Sequence, residues 1–349
     1  MLRTILIKVL AISALILVLL CVAEVCLRLQ PFVKLDGFRD EVPWSEVFHH
    51  GSGKFAVADY GSGCDGSKIK VLLLGDSWME DESLSGAIGQ EFADRTGKCV
   101  QTINGGTNSY SPSLYLLKAK QGFEKYGNFD YIIANIDETD IGDECLRYKI
   151  PLERNERGQM ISVSYKRDLH SMFIWNGKLW AENSDFYIVR LLKFAFFYKA
   201  LVPMLYELTF CPDYPSMMTY VFAPDAKSHH QKEHKYFEAR LMEMAKALVT
   251  FTKDGRSVYV THHPHLRGLI DRIDSGPLYL PVVSQAIARL VDEESGVTVL
   301  DARNHIRQIH GDALLEGSFV EGDPFSHLAD EGAVRYGRWI AGQLEFREK

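Results

Sequence analysis

Apolar positions along the chain fall into short runs that alternate with longer amphipathic stretches. The runs 69–75, 99–104 and 129–136 are mostly apolar, as is typical of strands that are buried on both faces of a parallel sheet. Apolar residues at helical spacing follow the first two runs, at 83–97 and 112–127, and both stretches end at a glycine. This part of the chain therefore predicts alternating strands and helices.

The same alternation returns towards the C-terminus. Strands are predicted at 257–261 and 297–301, and helices at 229–252, 280–293 and 329–346. Because strands that alternate with helices form parallel sheets with helices on both faces, we predict an α/β fold. The active sites of such sheets lie outside the carboxyl ends of the strands.

An aromatic-rich segment, residues 141–225, interrupts the alternation. Its apolar stretch 186–207 contains several basic residues, which favours a buried or amphipathic helix over a membrane span. We interpret 141–225 as an insertion with helices inside a domain that covers 69–349, and not as a separate domain.

The N-terminus has a different pattern. Arg3 and Lys8 precede an uncharged apolar run over 9–23, and the stem of Lys8 can lie along the membrane and lengthen that run. Residues 1–30 therefore predict a transmembrane signal anchor, with a cleaved signal peptide as the alternative. In both cases the positive flank stays inside and the bulk of the chain is exported. Residues 31–68 are Gly-rich and polar and form a tether and lead-in.

The composition is that of a globular protein and excludes one class of partner. Apolar residues make up 46% of the 349 residues and charged residues 24%, which is enough for a sizeable core. The net charge is −7, and no basic stretch is interleaved with aromatic residues. Nucleic acid is therefore not an expected partner.

Export gives a meaning to the four cysteines outside the N-terminal apolar segment, since an oxidising compartment permits disulfides. Cys64 precedes the first strand and Cys99 begins the second. Neighbouring parallel strands start side by side, which favours Cys64–Cys99 among the three pairings, and Cys145–Cys211 would follow by elimination. Four buried thiols are the alternative, and no Cys-x-x-Cys spacing indicates a metal site.

Candidate catalytic residues stand at two strand–helix junctions. Ser77 follows the run VLLLGD at the carboxyl end of the first strand, where a serine can present its hydroxyl and its N–H to a cleft. His327 stands before the last helix in the stretch DPFSHLADEG, with Asp323 upstream. A hydroxyl nucleophile needs a nearby imidazole, and the imidazole needs an acceptor that fixes its tautomer. A turn serine and a helix-capping histidine are the alternative.

These motifs resemble those of the SGNH/GDSL hydrolases, over the segments that flank residues 141–225. The resemblance implies a flavodoxin-like doubly wound parallel sheet, cleavage or transfer of acyl esters, and no cofactor. LLGDS implies that Ser77 is the nucleophile and an oxyanion donor, and HLADEG implies that His327 is the general base. Asp323 would orient His327, although it lies four residues before the histidine and the family has three.

The predicted oxyanion hole departs from the family pattern at two positions. The family's glycine donor falls on Ser109, five residues after Asn104, and a backbone N–H survives any replacement except proline. Gly106 is a second candidate if the loop is shifted. The family's asparagine falls on Thr139, whose hydroxyl can donate one hydrogen bond. We therefore predict Ser77, Ser109 and Thr139 as oxyanion donors.

Other polar residues that follow strands are candidate substrate contacts. His263 and His265 follow the strand 257–261 in the stretch THHPH, and Asp140 lies in the acidic loop after the third strand. Pro264 and the close spacing of the histidines suit metal ligation poorly, so no metal site is predicted.

The sequence thus predicts a membrane-anchored, exported serine hydrolase of acyl esters. O-acyl groups on envelope carbohydrate or lipid are the expected substrates, by analogy and from the predicted location. One alternative is a polysaccharide O-acyltransferase that receives its acyl group from a membrane protein. Another is a non-catalytic glycan-binding or assembly factor on the same fold, whose oxyanion hole has decayed.

Overall fold

The structure, a computed structural model, describes most of the chain outside the N-terminus and the aromatic-rich segment. The described residues are 22, 54–108, 110–148, 152–163, 189, 192–193, 196, 231–253, 257–263, 283, 286–290, 296–311, 317–320 and 327–346. Contacts divide the chain into one compact unit of Met1–Phe48 and Asp168–Pro215 and a second of His49–Arg167 and Ser216–Lys349. Only isolated residues of the first unit are described, and everything below concerns the second.

A six-stranded sheet forms the centre of the second unit. Its strands, in spatial order, are β1 (Ala56–Tyr60), β3 (Val100–Asn104), β2 (Ile69–Leu74), β4 (Tyr131–Ile136), β7 (Val258–His262) and β8 (Val297–Asp301). Every neighbouring pair is parallel except β1 and β3. The prediction of a mixed α/β fold around a mostly parallel sheet is confirmed.

Helices cover both faces of this sheet. They are α1 (Ser77–Glu80), α2 (Glu82–Thr96), α3 (Pro112–Tyr126), α4 (Asp140–Gly142), α5 (Gln231–Val249), α6 (Ile306–His310) and α7 (Asp330–Gln343). Helices α2 and α7 pack on each other and against Val71 and Leu73 of β2. Because successive side chains of a strand point to opposite faces, Leu72 and Leu74 face the other side, where α3 and α5 pack together.

Local sequence sets both ends of α2, the long helix nearest to the candidate nucleophile. The Asp81 carboxylate accepts the Ser83 N–H at 2.7 Å, so it satisfies one of the unpaired donors at the start of the helix. Gly97 ends the helix in the left-handed region, with φ of 63°, and its N–H donates to the Ala93 carbonyl. The helix therefore begins and ends where the sequence pattern predicts.

Three features differ from the expectations or fall beyond them. Strand β1 lies in the stretch that we interpreted as lead-in and pairs antiparallel with β3 at one edge of the sheet. A hairpin of β5 (Leu152–Arg154) and β6 (Met160–Val163) occupies part of the insertion that we predicted to have helices. The predicted anchor, 1–30, lies outside the described residues apart from Val22, and no helix of the described part is long and apolar enough to cross a membrane.

The structure has a disulfide between Cys64 and Cys99, the pair that the sequence favours. Ile69 of β2 and Val100 of β3 are register partners, so the bond joins the amino ends of two neighbouring parallel strands. It closes a loop with a sequence separation of 35 residues. A cross-link of that span stabilises a fold by about 3–4 kcal/mol. Cys145 is buried, and Cys211 lies outside the described residues.

Candidate active site

Ser77 stands at the carboxyl edge of the sheet, near its middle. It is the first residue of α1 and follows β2, which lies between β3 and β4. Asp76 precedes it as the N-cap of α1, and its Oδ1 accepts the Trp78 N–H at 3.0 Å. The Ser77 side chain is half-buried, and its N–H has no acceptor among the described residues. The position thus offers a hydroxyl and a backbone donor at the place where ligands bind in open parallel sheets.

His327 is held by a short pairing of two segments before α7. Its carbonyl accepts the Val320 N–H at 2.9 Å, and the Ala329 N–H donates to the Ser318 carbonyl at 3.0 Å. These bonds fix the backbone on both sides of the imidazole. Asp323, which we predicted to orient the ring, lies outside the described residues.

The fold brings the serine and the histidine into contact, although 250 positions separate them in the chain. Ser77 Oγ lies 2.8 Å from His327 Nε2, within hydrogen-bonding distance. The helices that follow the two residues, α2 and α7, run side by side. The Ser83 hydroxyl donates to the Asp330 carboxylate at 3.4 Å near their amino ends, and Arg95 donates to a carbonyl of α7 near their carboxyl ends. This helix pair keeps the two junctions together.

Backbone N–H groups in the loop after β3 are donated inward. The Gly105 N–H donates to the Leu73 carbonyl, and the Gly106 N–H donates to the Asn104 side chain. The Thr107 N–H donates to the Gly75 carbonyl. The Asn108 N–H donates to the Glu80 carboxylate, and the Tyr110 N–H donates to the Thr107 carbonyl. Gly106, the second candidate for an oxyanion donor, thus already has an acceptor at 2.8 Å. A Cβ there would lie 2.5 Å from the Met79 carbonyl carbon, so the loop is pressed against α1. Ser109 lies outside the described residues.

The loop after β4 places carboxylates beneath the edge of the sheet. Thr139 is half-buried, its N–H donates to the Asp137 carboxylate, and its hydroxyl has no hydrogen bond to another described residue. Asp140 is fully buried and accepts the Tyr115 hydroxyl at 2.9 Å, so it lies in the interior and not on a cleft surface as predicted. Burial, followed by the neighbouring charges of Asp76 and Asp137, raises the pKa of Asp140 well above its usual value.

Sequence reasoning missed the grouping of Asp76, Asp137 and Tyr115 around Asp140. Each carboxylate follows a strand, at the edge where the serine stands, and this is the signal that could have suggested their proximity. The aspartate in Gly-Asp-Ser gives no clear signal by itself, because aspartate is also common in turns that lack any function.

His263 lies in the interior, whereas we predicted a substrate contact at the cleft surface. Only 1% of its surface is exposed, and its Nε2 lies 2.9 Å from His310 Nε2. Its ring packs 5.2 Å from that of Trp78 and 4.8 Å from that of Tyr336, measured between centroids. Because Trp78 directly follows Ser77, this histidine pair supports the candidate site from below. His265 lies outside the described residues.

The buried histidine pair predicts an acid limit to stability. Burial, followed by the Arg335 guanidinium, lowers the pKa of His310 from 6.5 to about 4. Between these two values the unfolded chain binds a proton that the folded protein does not. The free energy of unfolding therefore falls as the pH drops through this window, by about 2–3 kcal/mol. A His310→Gln variant should lack this part of the pH dependence, which denaturant unfolding at about pH 7 and about pH 4.5 measures. The same pH dependence in both proteins would contradict the prediction.

His262, the last residue of β7, has a carboxylate on each side. Its Nε2 lies 3.9 Å from a Glu138 carboxylate oxygen and its Nδ1 lies 3.8 Å from an Asp301 carboxylate oxygen. Both distances are longer than a hydrogen bond. The ring is fully buried. Over the described ranges, no group of three His, Cys, Asp or Glu side chains is placed to hold a metal ion.

Comparisons with known proteins give a distant structural likeness. No protein-family model matches the chain, and no curated protein does. Among solved structures, the chain is similar to the lipase Lip_vut3 from a goat rumen metagenome, with 12% sequence identity and a TM-score of 0.40 over 79% of this chain and 100% of that one. At that TM-score the likeness supports no conclusion about fold or activity.

Proposed function

We propose that this protein is a serine-dependent enzyme of the SGNH type that hydrolyses or transfers acyl esters. The observation that carries the proposal is the distance of 2.8 Å between Ser77 Oγ and His327 Nε2 at the carboxyl edge of the sheet. A hydroxyl within hydrogen-bonding reach of an imidazole is the minimum needed for an activated serine nucleophile. Turn and capping roles alone do not require this contact between distant parts of the chain.

The order of the strands supports the SGNH assignment independently of the motifs. Numbered along the chain, the five parallel strands β2, β3, β4, β7 and β8 lie in the spatial order 2-1-3-4-5. This is the order of flavodoxin-like doubly wound sheets. Ser77 follows the first of these strands and His327 precedes the last helix, as the family resemblance implies.

In the proposed reaction, Ser77 Oγ attacks the ester carbonyl carbon while its proton passes to His327 Nε2. The carbonyl oxygen becomes an oxyanion, for which the Ser77 N–H, the Ser109 N–H and the Thr139 hydroxyl are the proposed donors. His327 then gives its proton to the departing alcohol. Water or an acceptor hydroxyl attacks the acyl-serine and loses its proton to His327. His327 then gives this proton to Ser77 Oγ as the acyl–serine bond breaks and the acyl group leaves with the attacking oxygen. The site needs no cofactor for these steps.

Two observations make the oxyanion assignment specific. The Ser77 N–H has no acceptor among the described residues. The Thr139 hydroxyl likewise has no hydrogen bond to another described residue. The N–H groups on both sides of Ser109 are already donated, to the Glu80 carboxylate and the Thr107 carbonyl. This inventory favours Ser109 over Gly106 as the donor from the loop after β3.

We propose O-acyl groups on envelope carbohydrate or lipid as the substrate class, and export with an N-terminal membrane anchor. The Cys64–Cys99 disulfide supports export, since such bonds persist in oxidising compartments. The choice between hydrolysis and transfer to a glycan depends on whether water or a sugar hydroxyl reaches the acyl-serine. The experiment below distinguishes these outcomes.

Covalent trapping tests the proposal. We expect a fluorophosphonate probe to label the full chain in detergent, and mass spectrometry of the digest to find the adduct on the peptide that contains Ser77. Ser77→Ala is the control and should not be labelled. Release of acetate from an activated acetate ester, with and without added glycan, separates hydrolysis from transfer. Folded protein that binds glycans but is neither labelled nor active would replace the proposal with a binding function.

A further inference from the structure

Tyr115 contacts both loops that carry a proposed oxyanion donor. It lies on α3 and is fully buried. Its hydroxyl oxygen lies 3.2 Å from the Tyr110 carbonyl oxygen, in the loop after β3, and 2.9 Å from Asp140 Oδ1, at the end of the loop after β4. Tyr110 directly follows Ser109, and Asp140 directly follows Thr139. One phenol hydroxyl therefore contacts the residue next to each of these two donors.

The strand order explains why the two loops need such a connection. β2 lies between β3 and β4, so the strands that carry the loops do not pair with each other. Ser77 follows β2, and the two loops approach it from the strands on opposite sides. An oxyanion hole requires donors that are fixed within hydrogen-bonding distance of one developing charge. The separation of the two loops across the end of β2 must therefore be kept constant.

The two partners of the phenol are themselves bonded within their loops. The Tyr110 N–H donates to the Thr107 carbonyl at 3.0 Å, which closes the turn that ends at Tyr110. Asp140 Oδ2 accepts the Asp137 N–H at 3.2 Å, and the Thr139 N–H donates to the Asp137 carboxylate. A displacement of either partner would therefore move the backbone of its loop.

The buried hydroxyl can bond to both partners at once. A hydroxyl donates one hydrogen bond and accepts up to two. When Asp140 is protonated, its O–H donates to the phenol oxygen and the phenol O–H donates to the Tyr110 carbonyl. Burial is the main reason that the pKa of Asp140 lies well above its usual value, which favours this arrangement. An asparagine at position 140 would offer an N–H donor in the same place.

A second connection between the same segments lies farther along the chain from the donors. The Ser111 hydroxyl donates to the Glu144 carboxylate at 2.7 Å, and this carboxylate also accepts the N–H of Ser113 at the start of α3. Neither bond involves Tyr115. Without the phenol hydroxyl, we therefore expect the two loops to shift relative to each other while α3 stays in place.

We propose that Tyr115 is a positioning residue that fixes the separation of the two oxyanion-donor loops through the hydrogen bonds of its hydroxyl with Tyr110 and Asp140. The inference rests on the proposed function for its meaning in catalysis, whereas the connection between the loops can be measured without activity. Phenylalanine fills the same space and lacks only the hydroxyl, so Tyr115→Phe removes the connection with little other change.

Kinetics of Tyr115→Phe test the role in catalysis. We expect kcat for an activated acetate ester to fall about 10- to 100-fold per fluorophosphonate-titrated site, with KM nearly unchanged, because the donors act on the transition state. The ratio of this rate to that of the matching thionoester should narrow, since sulfur accepts hydrogen bonds weakly and gains less from the donors. Asp140→Ala should lose as much as Tyr115→Phe, and Asp140→Asn less. The double variant Tyr115→Phe/Asp140→Ala should be no slower than the slower single variant.

Hydrogen exchange of the full chain measures the connection itself. In Tyr115→Phe, peptides that cover 105–111 and 137–143 should both exchange faster than in the wild type. Tyr131→Phe is the matched control, because Tyr131 is a buried tyrosine at the amino end of β4 whose hydroxyl donates to the Glu345 carbonyl at 3.0 Å. It should leave the exchange of both loops and kcat unchanged.

Wild-type kcat and wild-type exchange in Tyr115→Phe would overturn the proposal and leave Tyr115 as a residue of the core alone. Faster exchange of the loops with an unchanged rate per titrated site would overturn it as well, because the connection would then have no part in placing the donors. If the loops exchange faster but the wild-type protein is neither labelled nor active on esters, the connection stands and the proposed function fails.

Discussion

Replacing His327 with glutamine is expected to lower kcat/KM for an activated acyl ester by on the order of 10³-fold or more. Glutamine can still hydrogen-bond to Ser77 Oγ, but it cannot take the hydroxyl proton when the serine attacks. The effect should appear in kcat, because the lost interaction belongs to the transition state and not to substrate binding. Initial rates over a range of ester concentrations, with the folded fraction checked by circular dichroism, measure it.

The stability of the fold should change little in this variant. His327 is half-buried, and the backbone bonds that hold its segment, from Val320 to His327 and from Ala329 to Ser318, do not involve the imidazole. His305→Gln is a suitable control, because His305 is an exposed histidine whose side chain contacts Gln308 and the Trp339 ring. A His327→Gln protein that keeps more than about a tenth of the wild-type rate would show that the contact with Ser77 is not catalytic.

The sequence predicts the framework of the site because the positions of the strands, and so of the strand ends, follow from local patterns of apolar residues. Each buried strand is a run of apolar residues, and residues that follow parallel strands meet at one edge of the sheet. The sequence therefore predicts that Ser77 and His327 approach each other at this edge. The sequence pattern does not predict strand β1, because three of its five residues are exposed and the strand has no continuous apolar run.

Other details of the site depend on packing between distant segments, which no local pattern reports. His263 follows a strand end, as a cleft residue would, but Trp78, Tyr336 and His310 close over it. The Gly106 N–H is turned inward by the side chain of Asn104, a choice that depends on how closely the loop approaches α1. The burial and the hydrogen-bond partners of polar residues depend on this packing between distant segments. The sequence therefore predicts which edge of the sheet these residues lie near, but not how their polar groups are oriented.

Gly332→Ala is expected to cost about 3 kcal/mol or more of stability and to lower kcat/KM about 100-fold per folded molecule. Gly332 is the third residue of α7, and a Cβ there would lie 2.0 Å from the Ser318 carbonyl oxygen. That oxygen is the acceptor of the Ala329 N–H, in the pairing that holds His327. A methyl group must push the segment away, which breaks this buried bond and moves the imidazole relative to Ser77.

Stability and activity can be separated for this substitution because α7 contains another glycine, Gly342, in a different environment. At Gly342 a Cβ would meet no atom within 4 Å, so Gly342→Ala should be neutral or stabilising by about 0.5–1 kcal/mol, with full activity. Denaturant unfolding measures the stability, and rates normalised to the fluorophosphonate-titrated fraction measure the activity.

If Gly332→Ala matched the wild type in both, the segment 317–320 would have to yield without moving His327, and the backbone pairing could not be what positions the base. If instead stability fell while the rate per titrated site held, the pairing would serve the fold alone. We expect stability and rate to fall together because the Ser318 carbonyl both packs against α7 and accepts the N–H of Ala329, the residue that precedes α7.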